Sequence, residues 1–284
     1  MSRRKRVRRH TQKRALPTLH EGGAQEHVAG RAATGGRLTK KTALILAVAI
    51  AIPIAFVSVL VILSGSGQQS EEPTATVASG GPRAAIVDQL SLTQPNPTFV
   101  QTARDLLERV GYAVDYHPGE EITVEFYRNF PPQPYELIIF RVHSALGRED
   151  DQPVDWVTLF TSDVYHETWY VEEQKTRRLS KVSYYKDGPP YFGIMPDFVK
   201  SSMKGDLRDT TVVLMGCDGL ATETIAKALV EKGAKAVVSW NGLVSGEHTD
   251  AATVQLLRHY VIEGLQLREA VDRTAAEVGP DPAY

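Results

Sequence analysis

Residues Thr42 to Leu63 form an unbroken run without a charged side chain, TALILAVAIAIPIAFVSVLVIL. Coiled as a helix at about 1.5 Å per residue, a run of this length spans a hydrocarbon core of about 30 Å. It is longer than the apolar core of a secretory signal, and the 41 residues before it are too many for an ordinary leader. Pro53 is tolerated where neighbouring groups in a bilayer re-satisfy the backbone. The run therefore predicts a single-pass transmembrane helix over residues 42–63, with the lipid bilayer as its partner.

Charge sets the orientation. Residues 1–41 hold twelve of the 32 Lys/Arg but only Glu21 and Glu26 of the 34 Asp/Glu, so the rest of the chain carries a net charge of −12. Lys40 and Lys41 flank the run on one side and Ser64-Gly-Ser-Gly on the other. Positive charge stays inside, which predicts a cytoplasmic amino terminus and an extracytoplasmic acidic domain at the cell membrane. The tail Arg3-Arg-Lys-Arg6, Arg8, Arg9, Lys13, Arg14 has the charge of a nucleic-acid binder, but no aromatic residue is interleaved to stack on bases. It reads as a juxtamembrane tail against anionic lipid, and nucleic acid is not an expected partner. Residues 64–82, rich in Gly, Ser, Gln and Thr, read as a flexible linker.

From Arg83 to Tyr284 the pattern alternates. Ala84–Val87 reads as a buried strand ending at Asp88. Asn96-Pro97 then opens a helix carrying Phe99, Ala103, Leu106, Leu107 and Val110, and Gly111 stops it. Tyr112–Tyr116 is a second strand, with His117 in the turn after it. A helix from about Thr123 to Asn129 and a third strand, Tyr135–Val142, follow, with His143-Ser144-Ala145 at the strand's carboxyl end. Trp156–Phe160 reads as another strand. Lys181–Tyr185 and Tyr191–Ile194 flank Asp187-Gly-Pro-Pro190 as a β-hairpin. Val212–Met215 is a strand buried on both faces, Thr222 caps the next helix, Ala236–Trp240 is a further strand, and Asp250 caps a last major helix. Strands alternating with helices predict an α/β, three-layer sandwich with a mainly parallel central sheet.

Two side chains capable of chemistry then lie at carboxyl ends of parallel strands, where α/β sheets gather their reactive groups: His143 and Cys217, the only cysteine. A thiol beside an imidazole is an activated nucleophile, and the imidazolium can protonate a leaving amine. The backbone amides of Cys217 and Ser144 are placed to hold an oxyanion.

The order strand–helix–strand–helix–strand-His, a hairpin insert, then strand-Cys resembles the caspase-like cysteine peptidases. Val212-Val-Leu-Met-Gly-Cys-Asp-Gly219, Glu231–Trp240, Val261-Ile-Glu-Gly264 and Arg268-Glu-Ala270 are most similar to a CHAT-type domain. The resemblance covers about residues 83–278. It implies His143 as general base and acid, Cys217 as nucleophile, and a peptide or protein substrate; no cofactor and no metal are expected. One departure stands out: the family has His-Gly after the third strand, whereas Ser144 follows His143 here. Peptidases of this type often read a charged residue, and Asp88 or Asp218 are candidates for a carboxylate that selects Lys or Arg.

Other readings stand beside this one. A free cysteine at a strand end is commonly inert packing, which leaves a catalytically silent caspase-like binding or scaffold domain. A nucleotide-binding domain is the weaker alternative, because Gly216-Cys-Asp-Gly219 is no Gly-x-Gly-x-x-Gly fingerprint. His166, His248 and His259 lack metal-ligand spacing.

Overall fold

The structure, a computed structural model, describes residues 81–149 and 152–284. The expected tail (residues 1–41), transmembrane helix (42–63) and all but the last two residues of the expected linker (64–82) lie outside the described residues. Among those described, no helix is long and apolar enough to cross a membrane.

Five short strands make the central sheet: β1 (Arg83–Asp88), β2 (Ala113–Pro118), β3 (Leu137–Arg141), β8 (Thr211–Leu214) and β9 (Ala236–Val238). Their order is β2-β1-β3-β8-β9 and every pairing is parallel. The three inner strands have apolar middles, Ala84–Val87, Leu137–Phe140 and Val212–Leu214, because both faces are covered, and their polar residues stand at the strand ends. Alternate residues serve opposite layers. Ala84, Ile86, Leu137, Ile139, Val213 and Val238 pack against α1 (Pro97–Arg109), α6 (Gly246–Leu257) and α7 (Leu267–Val278). Ala85, Val87, Ile138, Phe140, Val212, Leu214 and Val237 face α2 (Val124–Asn129), α4 (Pro196–Ser201) and α5 (Thr224–Glu231). The expected α/β architecture with a mainly parallel central sheet is what the chain forms.

Local chemistry accounts for several boundaries. Asn96 Oδ1 accepts the Phe99 amide at 3.0 Å and Pro97 occupies the first helical position of α1. Thr123 caps α2 through the Phe126 amide at 3.0 Å.

Other expectations need correction. The hairpin is one part of a four-stranded antiparallel sheet, ordered β4 (Ser144–Glu149), β5 (Gln152–Val164), β7 (Tyr191–Ile194), β6 (Leu179–Val182). β4 escapes a sequence reading because Ser144-Ala-Leu-Gly-Arg-Glu149 is neither apolar throughout nor cleanly alternating. His117 belongs to β2 rather than a turn, and its ring packs edge-on against Phe126 and Phe130. Helix α5 begins at Thr224 behind Glu223, not at Thr222, whose hydroxyl bonds the Thr224 hydroxyl at 2.9 Å. Helix α6 is capped by Ser245, whose Oγ accepts the His248 amide at 3.3 Å. Asp250 sits inside that helix, because its carboxylate answers a buried arginine.

Candidate functional site

That arginine organises the carboxyl rim of the sheet. Arg141, the last residue of β3, is 1% exposed. Its Nη1 donates to Asp88 Oδ1 at 2.8 Å, Nε to Asp250 Oδ1 at 2.7 Å, and Nη2 to Asp250 Oδ2 and the Gln94 carbonyl, each at 2.8 Å. A charge this deep in the domain is tolerated only when its donors are matched in this way. Strand β1, strand β3, helix α6 and the 89–96 loop are thereby joined at one point. Asp88, a sequence candidate for the substrate pocket, is committed to this cluster. It is 1% exposed and does not line the cleft. Burial pushes its carboxyl up despite the Arg141 and Tyr116 hydrogen bonds.

Two residues beyond Arg141, His143 leaves the sheet. Its backbone N–H donates to Gln89 Oε1 at 3.0 Å, and Gln89 Nε2 in turn donates to the Tyr184 hydroxyl at 2.6 Å. The imidazole lies 4.7 Å from the Tyr184 ring and 5.8 Å from Phe160, centroid to centroid. Nε2 shares a proton with Thr93 Oγ1 at 2.9 Å, so an N–H there leaves Nδ1 as the basic nitrogen. Burial, reinforced by the Arg141 charge, lowers the His143 pKa to about 4. The ring is neutral at pH 7.

Cys217 follows β8, the neighbour of β3, so both residues stand at the same edge of adjacent parallel strands. They line one cleft of about 470 Å³ together with Ser144, Phe160, Tyr184 and Asp218. The thiol donates to the Val244 carbonyl at 3.4 Å, and the Val244 N–H points at Sγ at 3.4 Å. No hydrogen bond joins the thiol to the imidazole among the described residues. Burial pushes the Cys217 thiol up; the Val244 amide offsets part of that, and the nearby Asp218 carboxylate adds to it. The resting pair is therefore thiol and neutral imidazole.

Both amides expected to hold an oxyanion are free of backbone acceptors in the ladder and turn around them. Cys217 N–H makes no backbone hydrogen bond among the described residues. Ser144 opposes Leu159 in a pair whose flanking bond runs from Phe160 N–H to the His143 carbonyl, so its own N–H points away from β5. The Ser144 hydroxyl turns out of the way to donate to the Cys217 carbonyl at 2.5 Å. Asp218 adopts a left-handed conformation, φ +58°, and donates its N–H to the Gly242 carbonyl at 2.8 Å, which presents its side chain at the cleft. No Lys or Arg lines the cleft among the described residues.

The structure thus brings together His143, Ser144, Cys217 and Asp218 and separates Asp88. Sequence reading did not find Thr93, Gln89, Tyr184 or Val244. The first three carry no motif, and Val244 acts through its backbone. Ser245, next to Val244, did carry a signal, a serine opening a helical run. Comparison with protein-family models finds no matching family, and comparison with curated proteins finds no matching relative.

Proposed function

We propose that the domain is a Cys–His hydrolase of peptide bonds, of the caspase-like, CHAT-type kind that the sequence resembles. The observation that carries this reading is that an oriented neutral imidazole and the sole thiol line one cleft beside two amides that make no backbone hydrogen bond among the described residues. The thiol leaves Val244 as substrate enters, and His143 Nδ1 accepts its proton. The thiolate then adds to the scissile carbonyl. The oxyanion is held by the Cys217 and Ser144 amides. The imidazolium returns the proton to the leaving amine, giving a thioester, and His143 then activates the water that hydrolyses it to acid and free thiol. Asp218, in a cleft without a cation, favours a Lys or Arg side chain beside the scissile bond.

The thiol's bonds to Val244 rather than His143 favour a second reading, a silent scaffold of the same fold. A peptidyl acyloxymethyl ketone with Lys or Arg at the reactive end separates the two. Rapid labelling at Cys217, abolished in Cys217→Ser and strongly slowed in His143→Ala, supports the hydrolase. Slow labelling indifferent to His143 supports the scaffold.

On either reading residues 42–63 anchor the chain in the cell membrane with residues 1–41 in the cytoplasm. Protease digestion of intact cells tests this: the domain is degraded and the basic tail is protected, and the reverse pattern overturns the topology.

A further inference from the structure

Helix α7 ends at Gly279, φ +71°, and the residues after it turn back to the cleft. Asp281, 9% exposed, is their fastening point. Its Oδ2 accepts the Ser245 N–H at 2.5 Å and its Oδ1 accepts the Ala283 N–H at 2.9 Å. Tyr284 N–H closes the turn on the Asp281 carbonyl at 3.3 Å. Tyr284 consequently lines the cleft, where it and Leu243 are exposed large apolar residues, 66% and 54% accessible. Ser245 immediately follows Val244, whose N–H and carbonyl hold the Cys217 sulfur. One carboxylate therefore fixes both the segment that brings Tyr284 to the cleft and the loop that clasps the thiol.

We propose that residues 279–284 are a latch on the cleft, with Asp281 as its fastening and Tyr284 as its cover, and that the latched form restricts access to Cys217. Burial opposes ionisation of Asp281, but the Ser245 and Ala283 amides outweigh it and hold the carboxyl below its ordinary range, so the fastening is closed at neutral pH. Asp281 is a positioning residue acting through Ser245 and Val244. Opening the latch exposes the sulfur to water and withdraws a carboxylate from its surroundings. Each change moves the thiol toward thiolate, since burial is the first cause of its raised pKa and the Asp281 charge adds to it. A substrate segment that displaces Tyr284 would open the cleft by competing for the same rim.

The inference rests on Cys217 being the group the cleft serves, but not on turnover. The test is the rate at which iodoacetamide and a bulky maleimide alkylate Cys217 in the full chain. Asp281→Ala is expected to speed both, up to about tenfold for each unit by which the thiol pKa falls. Tyr284→Ala removes an exposed side chain, leaves the fold intact, and is expected to speed the bulky reagent more than the small one. Unchanged or slower alkylation in both variants overturns the latch. The same measurements in a His143→Ala background keep the two ideas apart. Acceleration by Asp281→Ala that survives there leaves the latch standing whether or not the dyad turns over.

Discussion

Ser144 Oγ and the Cys217 carbonyl oxygen lie 2.5 Å apart, a hydrogen bond across 73 residues of chain that ties the His143 strand end to the Cys217 turn. The contact has a geometric condition. A Cβ on Gly216 would fall within 2.4 Å of the Val142 carbonyl oxygen and 2.8 Å of the Ser144 amide nitrogen, and it would overlap the Ser144 hydroxyl still more closely. The serine after His143 is thus matched by a glycine directly before the cysteine. The Ser144 side chain is thereby held in the wall of the cleft.

The first prediction follows from this fit. Gly216→Ala should destabilise the domain by about 1–3 kcal/mol, the usual cost of forcing atoms into a packed site. Ser144→Gly in the same chain should recover part of the loss, because the hydroxyl can be removed but the Val142 carbonyl cannot. Urea unfolding of the single and double variants measures both; no recovery in the double variant would refute the pairing.

Cys217 alkylation should respond to pH as a thiol with an elevated pKa. Burial holds the thiol above its ordinary value of 9.0, so the rate should still be climbing at pH 9. A plateau near pH 7 would mean a preformed thiolate–imidazolium pair, against the lowered pKa of His143.

His143 also links stability to pH. Its folded pKa of about 4 lies below its ordinary 6.5, so between these values the unfolded chain binds more protons. The favourable contribution is complete above about pH 6.5 and is lost as pH falls toward 4, amounting to roughly 2–3 kcal/mol. The difference in unfolding free energy between the wild type and His143→Gln should change by that order across the window. A difference that stays flat from pH 7 to pH 4 would place the imidazole in contact with bulk water.

Asp250 and Asp88 should not be equivalent. Asp250 grips Arg141 through both oxygens, and Asp88 through one. Asp250→Ala leaves a buried guanidinium short of its main counter-charge and should cost about 3–5 kcal/mol. Asp88→Asn removes a carboxylate whose ionisation burial already opposes, and should cost clearly less. Thermal or urea denaturation ranks them, and the opposite ranking would contradict the cluster's geometry.

Thr93→Val tests the orientation of the imidazole. The change keeps the shape and removes the hydroxyl that Nε2 meets at 2.9 Å. Loss of one such hydrogen bond should slow His143-dependent labelling of Cys217 by about tenfold with little change in stability. An unaltered rate would show that Gln89 and the Tyr184 ring hold His143 unaided.

What the sequence determined by itself is the scaffold that brings His143 and Cys217 to one edge. Short apolar runs such as Ala84–Val87 and Val212–Met215, bounded by turn and cap signals, read as strands covered on both sides, and caps such as Asn96-Pro97 and Thr123 act over three residues. Local chemistry of this kind is written in neighbouring letters. The tertiary structure alone decided how the site is wired. Asp250 looked like a helix cap until Arg141, 109 residues away, claimed it. Asp88 looked available for substrate until the same guanidinium took it inside. Thr93, Val244 and Asp281 reach His143 and Cys217 through single hydrogen bonds or a backbone, across chain separations that no short-range pattern records. A buried charge selects its partners by distance in space, and that distance exists only once the chain has folded.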